Sequence, residues 1–370
     1  MLRPRQVVGG GYNARSRTYA RAKTYRPMPQ WKAGQAAALA GSRNAKVLCW
    51  GHSGIAGMGA HGSFSQGNNA AYTWVKQLAD KFSNGNWQSW FGNPSQDAAV
   101  NGYDNRINKG SWLFYSDVNF SGLGTWYWYS SGASQFTMLP TVPVDTFEIY
   151  FARIWGGANS MDVSIDAGGV TNYSTTSDGF GQVLAKQVIN TTLGSRTLKI
   201  ARNTGEVWIN GITAYNSAAK SIIFSNAGAS GLTAEGAIAN ATYAGHVGEL
   251  ARLAPDLVII QIEGNDVLQA ISPATFSASL QTMITAAKNA GADVILLVDI
   301  PSNGFQGNRA PYDAVVKSLG ASNKINVVDL NTRWGNDYSV GYGKGRYFDD
   351  YHANEFGLAD IAQALYDVMR

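Results

Sequence analysis

Short apolar runs that alternate with helical stretches constrain the fold of this chain more than any other feature of its sequence. Five of these runs predict buried strands, at 46–50, 221–224, 257–262, 293–298 and 325–330. Helical spacing of apolar residues predicts helices at 70–82, about 233–253, about 273–290, near 311–319 and 355–369. Because strands that are apolar throughout must be covered on both faces, this order predicts a three-layer α/β/α sandwich around a parallel sheet.

Residues 84–219 interrupt this alternation. Gly, Ser, Asn and Thr clusters separate short alternating segments there, such as 146–151, 161–165 and 206–211. Such spacing is typical of antiparallel β-sandwiches. We therefore predict an inserted all-β, jelly-roll-like domain at 84–219, between the two parts of an α/β domain at 45–83 and 220–370.

The inserted segment is rich in aromatic residues. Six of the eleven Trp residues lie between Trp87 and Trp155. Large aromatic side chains commonly fill the core of a sandwich, whereas exposed Trp and Tyr rings can stack on sugar rings. The sequence leaves both interpretations open, and the second makes the inserted domain a candidate carbohydrate-binding module.

The N-terminal segment is strongly basic, unlike the rest of the chain. Eight of the 29 basic residues and none of the 25 acidic residues lie within residues 1–32, so the rest of the chain has a small net negative charge. A nucleic-acid-binding protein would carry its excess positive charge on a face of the folded domain and not on a terminal segment, so we do not expect nucleic-acid binding. No apolar core of a secretory signal is present. We predict a basic arm at 1–44, which is either a disordered leader or a segment that docks the protein in a larger assembly.

Several classes of protein are excluded by what the sequence lacks. No apolar run approaches about 18 residues, so we expect no membrane-spanning helix. The single cysteine, Cys49, excludes an intrachain disulfide and a multi-cysteine metal site. The four His residues have no metal-ligand spacing and no phosphate-binding loop is present, so we expect no cofactor.

Four separate segments carry residues suited to chemistry. They are Gly-His-Ser-Gly at 51–54, a Gly-rich block at 226–233, Glu-Gly-Asn-Asp at 263–266 and Asp-Asp-Tyr-His at 349–352. Each lies at the end of a predicted strand or the start of a predicted helix, and ligands bind at the carboxyl ends of strands in open α/β sheets. Each segment alone is also compatible with a turn or a helix cap, but their joint occurrence favours a functional site.

These four segments together resemble the conserved blocks of the SGNH (GDSL-type) serine hydrolases, which are Gly-Asp-Ser, a Gly block, Gly-x-Asn-Asp and a late Asp-x-x-His. The resemblance covers 45–83 and 220–370 and leaves out the arm and the insertion. It implies the flavodoxin-like SGNH fold, with Ser53 as the nucleophile, His352 as the general base and Asp349 as the residue that orients the imidazole.

The resemblance also implies an oxyanion hole. Its donors would be the backbone N–H of Ser53, the backbone N–H of Gly231 and the side-chain amide of Asn265, with Gly228 as the alternative glycine. These roles agree with the chemistry of the residues. A serine hydroxyl requires a base to become nucleophilic at neutral pH, and N–H donors stabilise the charge that develops on the carbonyl oxygen.

Two positions depart from the family pattern. His52 stands where the first block has Asp, and Glu263 stands where the third block begins with Gly. Neither belongs to the predicted triad. We expect His52 to rearrange the hydrogen bonds of the nucleophile loop and Glu263 to add a carboxylate near the site.

The sequence therefore predicts a serine esterase that removes O-acetyl or similar short acyl groups from a polysaccharide. The alternative is a structural or receptor-binding component of a larger particle, such as a phage tail protein, that binds glycans with or without esterase activity. The basic arm and the high glycine content favour that alternative. The predicted partners are an acylated glycan and a protein assembly that the arm would contact, while nucleic acid is not expected. Whether the chain forms a homo-oligomer, and in which compartment it acts, stays open.

Overall fold

A computed structural model describes residues 25–62, 68–91, 103–115, 127–130, 132, 134–177, 183–239, 246–304 and 307–370. Its helices are α1 (Pro29–Leu39), α2 (Ser53–Ala56), α3 (Trp74–Ala79), α4 (Ala234–Ile238), α5 (His246–Leu253), α6 (Glu263–Leu268), α7 (Pro273–Asn289), α8 (Ala310–Ser322), α9 (Leu330–Arg333), α10 (Tyr338–Tyr342) and α11 (Glu355–Met369), with a 3₁₀ helix at Asn69–Tyr72.

The strands are β1 (Ala45–Gly51), β2 (Gly85–Asn86), β3 (Ser89–Phe91), β4 (Ile107–Asn108), β5 (Leu113–Tyr115), β6 (Tyr127–Ser130), β7 (Gln135–Met138), β8 (Val144–Arg153), β9 (Ser160–Ile165), β10 (Thr171–Ser174), β11 (Val183–Gly194), β12 (Leu198–Thr204), β13 (Val207–Tyr215), β14 (Ile222–Gly228), β15 (Leu257–Gln261), β16 (Asp293–Val298) and β17 (Asn326–Asp329). They form one parallel sheet and two antiparallel sheets.

The parallel sheet has the strand order β17-β16-β15-β1-β14-β2, and its pairs are parallel throughout. All five predicted strands are present, and the short β2 adds an edge. Side chains of β1 alternate between two hydrophobic clusters: Leu48 and Trp50 pack on one face, whereas Val47 and Cys49 pack on the other. Because both faces are buried under helices, the predicted three-layer α/β/α sandwich is confirmed.

The inserted segment forms the two antiparallel sheets, with strand orders β10-β9-β12-β7-β4 and β11-β8-β13-β6-β5, and β3 pairs with β13. A hydrophobic cluster between them includes Trp90 and Trp112. These two indoles therefore serve the core, as the packing interpretation predicts. Trp155 is 56% exposed, and the side chains of Trp126 and Trp128 lie outside the described residues.

The inserted sheets pack directly on the α/β part of the molecule. Phe91, Tyr150 and Leu184 belong to the same hydrophobic cluster as Trp50. The hydroxyl oxygens of Ser89 in β3 and Ser225 in β14 are 2.8 Å apart and share a hydrogen bond. The insertion therefore shares a hydrophobic core with the α/β domain, in addition to the two covalent connections between them.

The predicted boundary of the N-terminal arm at residue 44 is wrong. Residues Pro29–Leu39 form helix α1, in which Pro29 occupies the first turn where its missing N–H costs nothing. Trp31 is fully buried in the α/β core and its Nε1–H donates to the Met369 carbonyl at 2.8 Å. Residues 29–39 therefore belong to the α/β domain, and residues 1–24, which carry most of the basic charge, lie outside the described residues.

Candidate active site

A cavity of 140 Å³ lies at the carboxyl ends of β1, β15 and β16. Ser53, Asn265 and Asp299 follow these three strands and line the cavity. His352, from the loop before α11, lines it as well. Parallel strands bring their carboxyl ends to one edge of the sheet, so residues distant in sequence meet at this edge.

The turn that carries Ser53 depends on a glycine. A Cβ atom on Gly51 would lie 1.7 Å from the Gln261 carbonyl oxygen of the neighbouring strand, so only glycine permits this approach. His52 then caps helix α2, because its Nδ1 accepts the backbone N–H of Gly54 at 3.0 Å. Ser53 is the first residue of α2, which places its hydroxyl at the mouth of the turn.

The structure brings Ser53, His352 and Asp349 together. Ser53 Oγ lies 3.0 Å from His352 Nε2. His352 Nδ1 lies 2.9 Å from Asp349 Oδ2 and 3.1 Å from Oδ1. When Nδ1–H donates to the carboxylate, Nε2 keeps its lone pair and can accept the serine proton.

Asp349 is held as an anion by its surroundings. Burial of this carboxyl group acts to raise its pKa, but hydrogen bonds from the His352 side chain and from two backbone N–H groups outweigh burial. Asp349 Oδ1 also accepts the backbone N–H groups of Tyr351 at 2.7 Å and His352 at 2.6 Å. The pKa of Asp349 is therefore lowered, and the residue can orient the imidazole over a wide pH range.

The predicted oxyanion residues lie in three different settings. Asn265 is in the first turn of α6, and its Nδ2 donates one N–H to the Leu232 carbonyl at 3.0 Å. A side-chain amide carries two such hydrogens. Gly231 has a left-handed φ of +77°, and open space surrounds the position of a Cβ. Gly228 donates its N–H to Asn226 Oδ1 at 3.0 Å, so of the two glycines the geometry favours Gly231.

His52 and Glu263, the two residues that depart from the family pattern, both contact Asp299. His52 Nε2 lies 2.7 Å from Asp299 Oδ2. Glu263 is fully buried and accepts the backbone N–H of Asp299 at 3.2 Å and an Arg309 N–H at 3.2 Å. Burial raises the pKa of Glu263. Glu263 therefore lies near the site, as expected, but its carboxylate does not line the cavity, because it is buried against Arg309 and the Asp299 backbone.

Asp299 itself was not predicted from the sequence. It directly follows β16, so the rule that placed the other site residues at strand ends also applies to it. Among the described residues, no cluster of three or more His, Cys, Asp or Glu side chains could hold a metal ion. None of the described helices combines the length and the apolar character that crossing a membrane requires.

Comparison with known proteins places these residues in a family. Residues 195–359 match the GDSL-like lipase/acylhydrolase family. The chain contains an SGNH (GDSL-type) hydrolase domain. The matched segment includes Asn265, Asp349 and His352, whereas Ser53 precedes it, so the assignment of Ser53 depends on the geometry above. The SGNH domain is a hydrolase that acts on esters.

One solved structure shows the same fold along most of the chain. A peptidoglycan O-acetylesterase matches with a TM-score of 0.71 and 14% identity, over 92% of this chain and 94% of that chain. A Bacillus subtilis protein matches with a TM-score of 0.35 and 16% identity, over 75% of this chain and 96% of its own. An acetyl xylan esterase has a TM-score of 0.34 and 17% identity, over 40% and 80%. The last two scores are too low to support an argument, and no curated protein matches the sequence.

Proposed function

We propose that the SGNH domain is a serine esterase that removes O-acetyl or similar short acyl groups from a polysaccharide. Ser53 is the nucleophile, His352 the general base and Asp349 the residue that orients the base. The observation that carries this proposal is the 3.0 Å separation of Ser53 Oγ and His352 Nε2, with Asp349 2.9 Å from the other ring nitrogen. Nucleophile, base and orienting group within hydrogen-bond reach are the signature of nucleophilic acyl transfer.

Acylation begins with attack of Ser53 Oγ on the ester carbonyl carbon. His352 Nε2 takes the hydroxyl proton as the new C–O bond forms, and Asp349 stabilises the imidazolium. The carbonyl π electrons move to the oxygen, which becomes an oxyanion. When the tetrahedral intermediate collapses, the bond to the sugar oxygen breaks and His352 returns the proton to that leaving alcohol.

The oxyanion would be stabilised by N–H groups from three segments. Ser53 lies in the first turn of α2, where backbone N–H groups have no partner within the helix. Asn265 contributes its second amide hydrogen, and Gly231 its backbone N–H. Removing one such donor typically lowers kcat by about 10²–10³. All three donors are neutral, so they stabilise the transient charge without forming a permanent ion pair.

Deacylation repeats these steps with water. His352 takes a proton from the water molecule, and the resulting hydroxide attacks the acyl-serine. The second tetrahedral intermediate then collapses to a carboxylic acid, and the proton returns to Ser53 Oγ. No group beyond those already described is needed to balance either half-reaction.

Two observations support a short acyl group on a glycan. The cavity of 140 Å³ beside Ser53 includes the apolar side chains of Met58, Leu268 and Ile300. Its volume is close to that of an engineered cavity of about 150 Å³ that holds benzene, so it has room for an acetyl group. The likeness of the fold to a peptidoglycan O-acetylesterase along 92% of the chain supports a polysaccharide substrate.

The test combines a chromogenic ester with natural glycans. Hydrolysis of p-nitrophenyl acetate is compared with that of the butyrate and the decanoate, for the wild type, Ser53→Ala and a control variant, Ser322→Ala, in an exposed serine of α8. We expect acetate to be preferred and Ser53→Ala to lose about 10⁴-fold or more in kcat. Mass spectrometry of O-acetylated polysaccharides should then show loss of acetyl groups. Unchanged turnover in Ser53→Ala would refute the proposal.

A further inference from the structure

The two departures from the SGNH pattern, His52 and Glu263, meet at the same residue, Asp299. On the basis of the proposed function, we infer that His52 and Asp299 are positioning residues. They hold the nucleophile turn and the Asn265 amide in the relative arrangement that stabilises the oxyanion. The pair contacts two segments, one of which carries the nucleophile Ser53 and the other the oxyanion donor Asn265.

The Asp299 carboxylate accepts hydrogen bonds from three segments. Its Oδ2 accepts His52 Nε2–H at 2.7 Å and the Gly264 backbone N–H at 2.8 Å. Its Oδ1 accepts Gln261 Nε2–H at 2.6 Å. His52 directly precedes Ser53, and Gly264 directly precedes Asn265. One carboxylate therefore joins the nucleophile turn, the end of β15 and the first turn of α6.

The backbone of Asp299 is fixed by a second set of contacts. Glu263 Oε2 accepts its N–H at 3.2 Å, and Arg309 Nη2 donates to its carbonyl at 2.9 Å. Arg309 is itself paired with Glu263 at 3.2 Å and Asp313 at 3.0 Å, and it is almost fully buried. Glu263 and Arg309 thus hold the main chain of Asp299 while its side chain holds the site.

His52 cannot act as a general base, because both of its ring nitrogens are engaged in hydrogen bonds within the protein. His52 Nδ1 accepts the Gly54 N–H, so the ring is in the tautomer with a proton on Nε2, and that proton bonds to Asp299. Asp299 is 2% exposed. Burial acts to raise its pKa, but the hydrogen bonds of His52 and Gln261 and the nearby Arg309 charge outweigh burial, and the pKa is lowered. An anion with three donors is a rigid anchor, and rigid support of this kind fixes catalytic geometry.

The consequence is a defined kinetic effect. If the His52–Asp299 bond is lost, the nucleophile turn and α6 are no longer held by one group. Ser53 and Asn265 then lose their mutual placement, which matters most in the tetrahedral intermediate because the oxyanion bonds form there. The loss should fall on kcat and leave KM nearly unchanged, since the ground state does not use these bonds.

Two substitutions at position 52 separate this role from helix capping. His52→Asn keeps an acceptor near the position of Nδ1, so it can cap α2, but its short amide cannot reach Asp299. His52→Gln places an amide near the position of Nε2, so it can donate to Asp299, but it is a poor cap. Positioning through Asp299 predicts that Gln preserves activity better than Asn, whereas a capping role predicts the reverse order.

The experiment measures kcat and KM for p-nitrophenyl acetate, the affinity for an aliphatic trifluoromethyl ketone and the melting temperature, for the wild type, His52→Asn, His52→Gln and Asp299→Asn. Ser53 Oγ adds to the carbonyl carbon of the ketone, and the product is a stable tetrahedral oxyanion. We expect His52→Asn and Asp299→Asn to lose at least about tenfold in kcat, with KM within about threefold, and a parallel loss of ketone affinity. His52→Gln should lie closer to the wild type.

Two sets of outcomes overturn the inference. The first is a folded His52→Asn variant with wild-type kcat and ketone affinity. The second is a loss that appears equally in His52→Asn and His52→Gln, or only in KM. A failure of the proposed function gives a different result: the wild type itself neither hydrolyses the ester nor binds the ketone through Ser53. Asp299→Asn supports the inference only if its melting curve shows a folded protein under the assay conditions.

Discussion

Two imidazole–carboxylate pairs flank Ser53. In each pair one ring nitrogen contacts the carboxylate, and the pairs differ in what the second ring nitrogen contacts. In the His352–Asp349 pair the second nitrogen contacts the serine hydroxyl, and the side chains are 17% and 24% exposed. In the His52–Asp299 pair the second nitrogen accepts a backbone N–H, and the side chains are 10% and 3% exposed. The same two residue types therefore give one pair that can move a proton and one pair that cannot.

Residue identity alone therefore does not assign a catalytic role. Both pairs have short N···O distances, 2.9 Å and 2.7 Å. Only the pair with a reachable hydroxyl and partial access to solvent can exchange a proton with a substrate. The buried pair instead joins segments of the fold.

Substitution of His352 by Ala should have the largest effect. Without the imidazole, Ser53 has no general base, and loss of a triad member of this type lowers kcat by about 10⁴–10⁶. The measurement is steady-state hydrolysis of p-nitrophenyl acetate. The matched control is His61→Ala, because His61 is half-exposed, stacks on Tyr72 and should leave the activity unchanged. Retention of activity within tenfold of the wild type would remove His352 from the mechanism.

Substitution of Asp349 by Asn should lower kcat by about 10²–10⁴, because an amide no longer fixes the imidazole tautomer. The melting temperature should change little, since the carboxylate is partly exposed. Asp350→Asn is the control, because the adjacent carboxylate contacts only the Tyr338 hydroxyl at 3.2 Å among the hydrogen bonds of the described residues. Equal kinetic losses in both variants would contradict the role of Asp349.

Substitution of Arg309 by Met should destabilise the buried cluster that supports Asp299. It leaves Glu263 and Asp313 without their cation in the protein interior, and breaking a buried pair in this way typically costs about 3–5 kcal/mol. Urea unfolding measures the change in the free energy of unfolding. Lys76→Met removes an ion pair with Asp80 on α3 and should cost only about 0.5 kcal/mol. A similar loss of unfolding free energy in both variants would show that the buried cluster contributes no more to stability than an exposed ion pair does.

A pH dependence distinguishes two buried carboxylates near the site. Asp299 has three donors, whereas Asp266 accepts the Ala234 N–H at 2.9 Å and its Oδ1 has no hydrogen-bond partner among the described residues. Burial raises the pKa of Asp266 to about 7. Between about pH 4 and pH 7 the folded protein therefore binds more protons at this group than the unfolded chain does, so stability falls as the pH rises through this interval.

The Asp266→Asn variant tests this dependence, because its side chain does not titrate. Urea unfolding between pH 4.5 and pH 7.5 should show that the wild type loses stability relative to the variant as the pH rises, by an amount on the order of 2 kcal/mol. Parallel stability curves for the two proteins would show that the Asp266 carboxyl group has an ordinary pKa in the folded state.

The sequence predicted the parts of the molecule that depend on local patterns. The strands of the parallel sheet and most of its helices are recognisable because their apolar periodicity is strong, and Ser53, Asn265 and His352 lie at segment ends that the pattern defines. Helix α1 was missed because Pro29 and the surrounding basic residues suggested an arm, while the burial of Trp31 against Met369 is a contact over 338 residues. Tertiary packing of this kind leaves no local signal.

The role of Asp299 was missed for a related reason. Its position after β16 is visible in the sequence, but its partners His52, Gln261 and Gly264 come from two other strand ends. Likewise, the sequence predicted Glu263 near the site, but only the fold shows that its side chain contacts Arg309. The role of the basic N-terminal residues in an assembly, and the phage-tail alternative, stay predictions because residues 1–24 lie outside the described residues.

Covalent labelling tests directly whether Ser53 is a nucleophile activated by His352. The protein is incubated with an alkyl fluorophosphonate, which phosphonylates a serine activated by a neighbouring base, and the adduct is located by intact-mass and peptide mass spectrometry. We predict a single adduct on Ser53 in the wild type, none in Ser53→Ala and very slow labelling in His352→Ala. A wild-type protein that stays unlabelled, or one that is labelled equally well after Ser53→Ala substitution, would contradict the account.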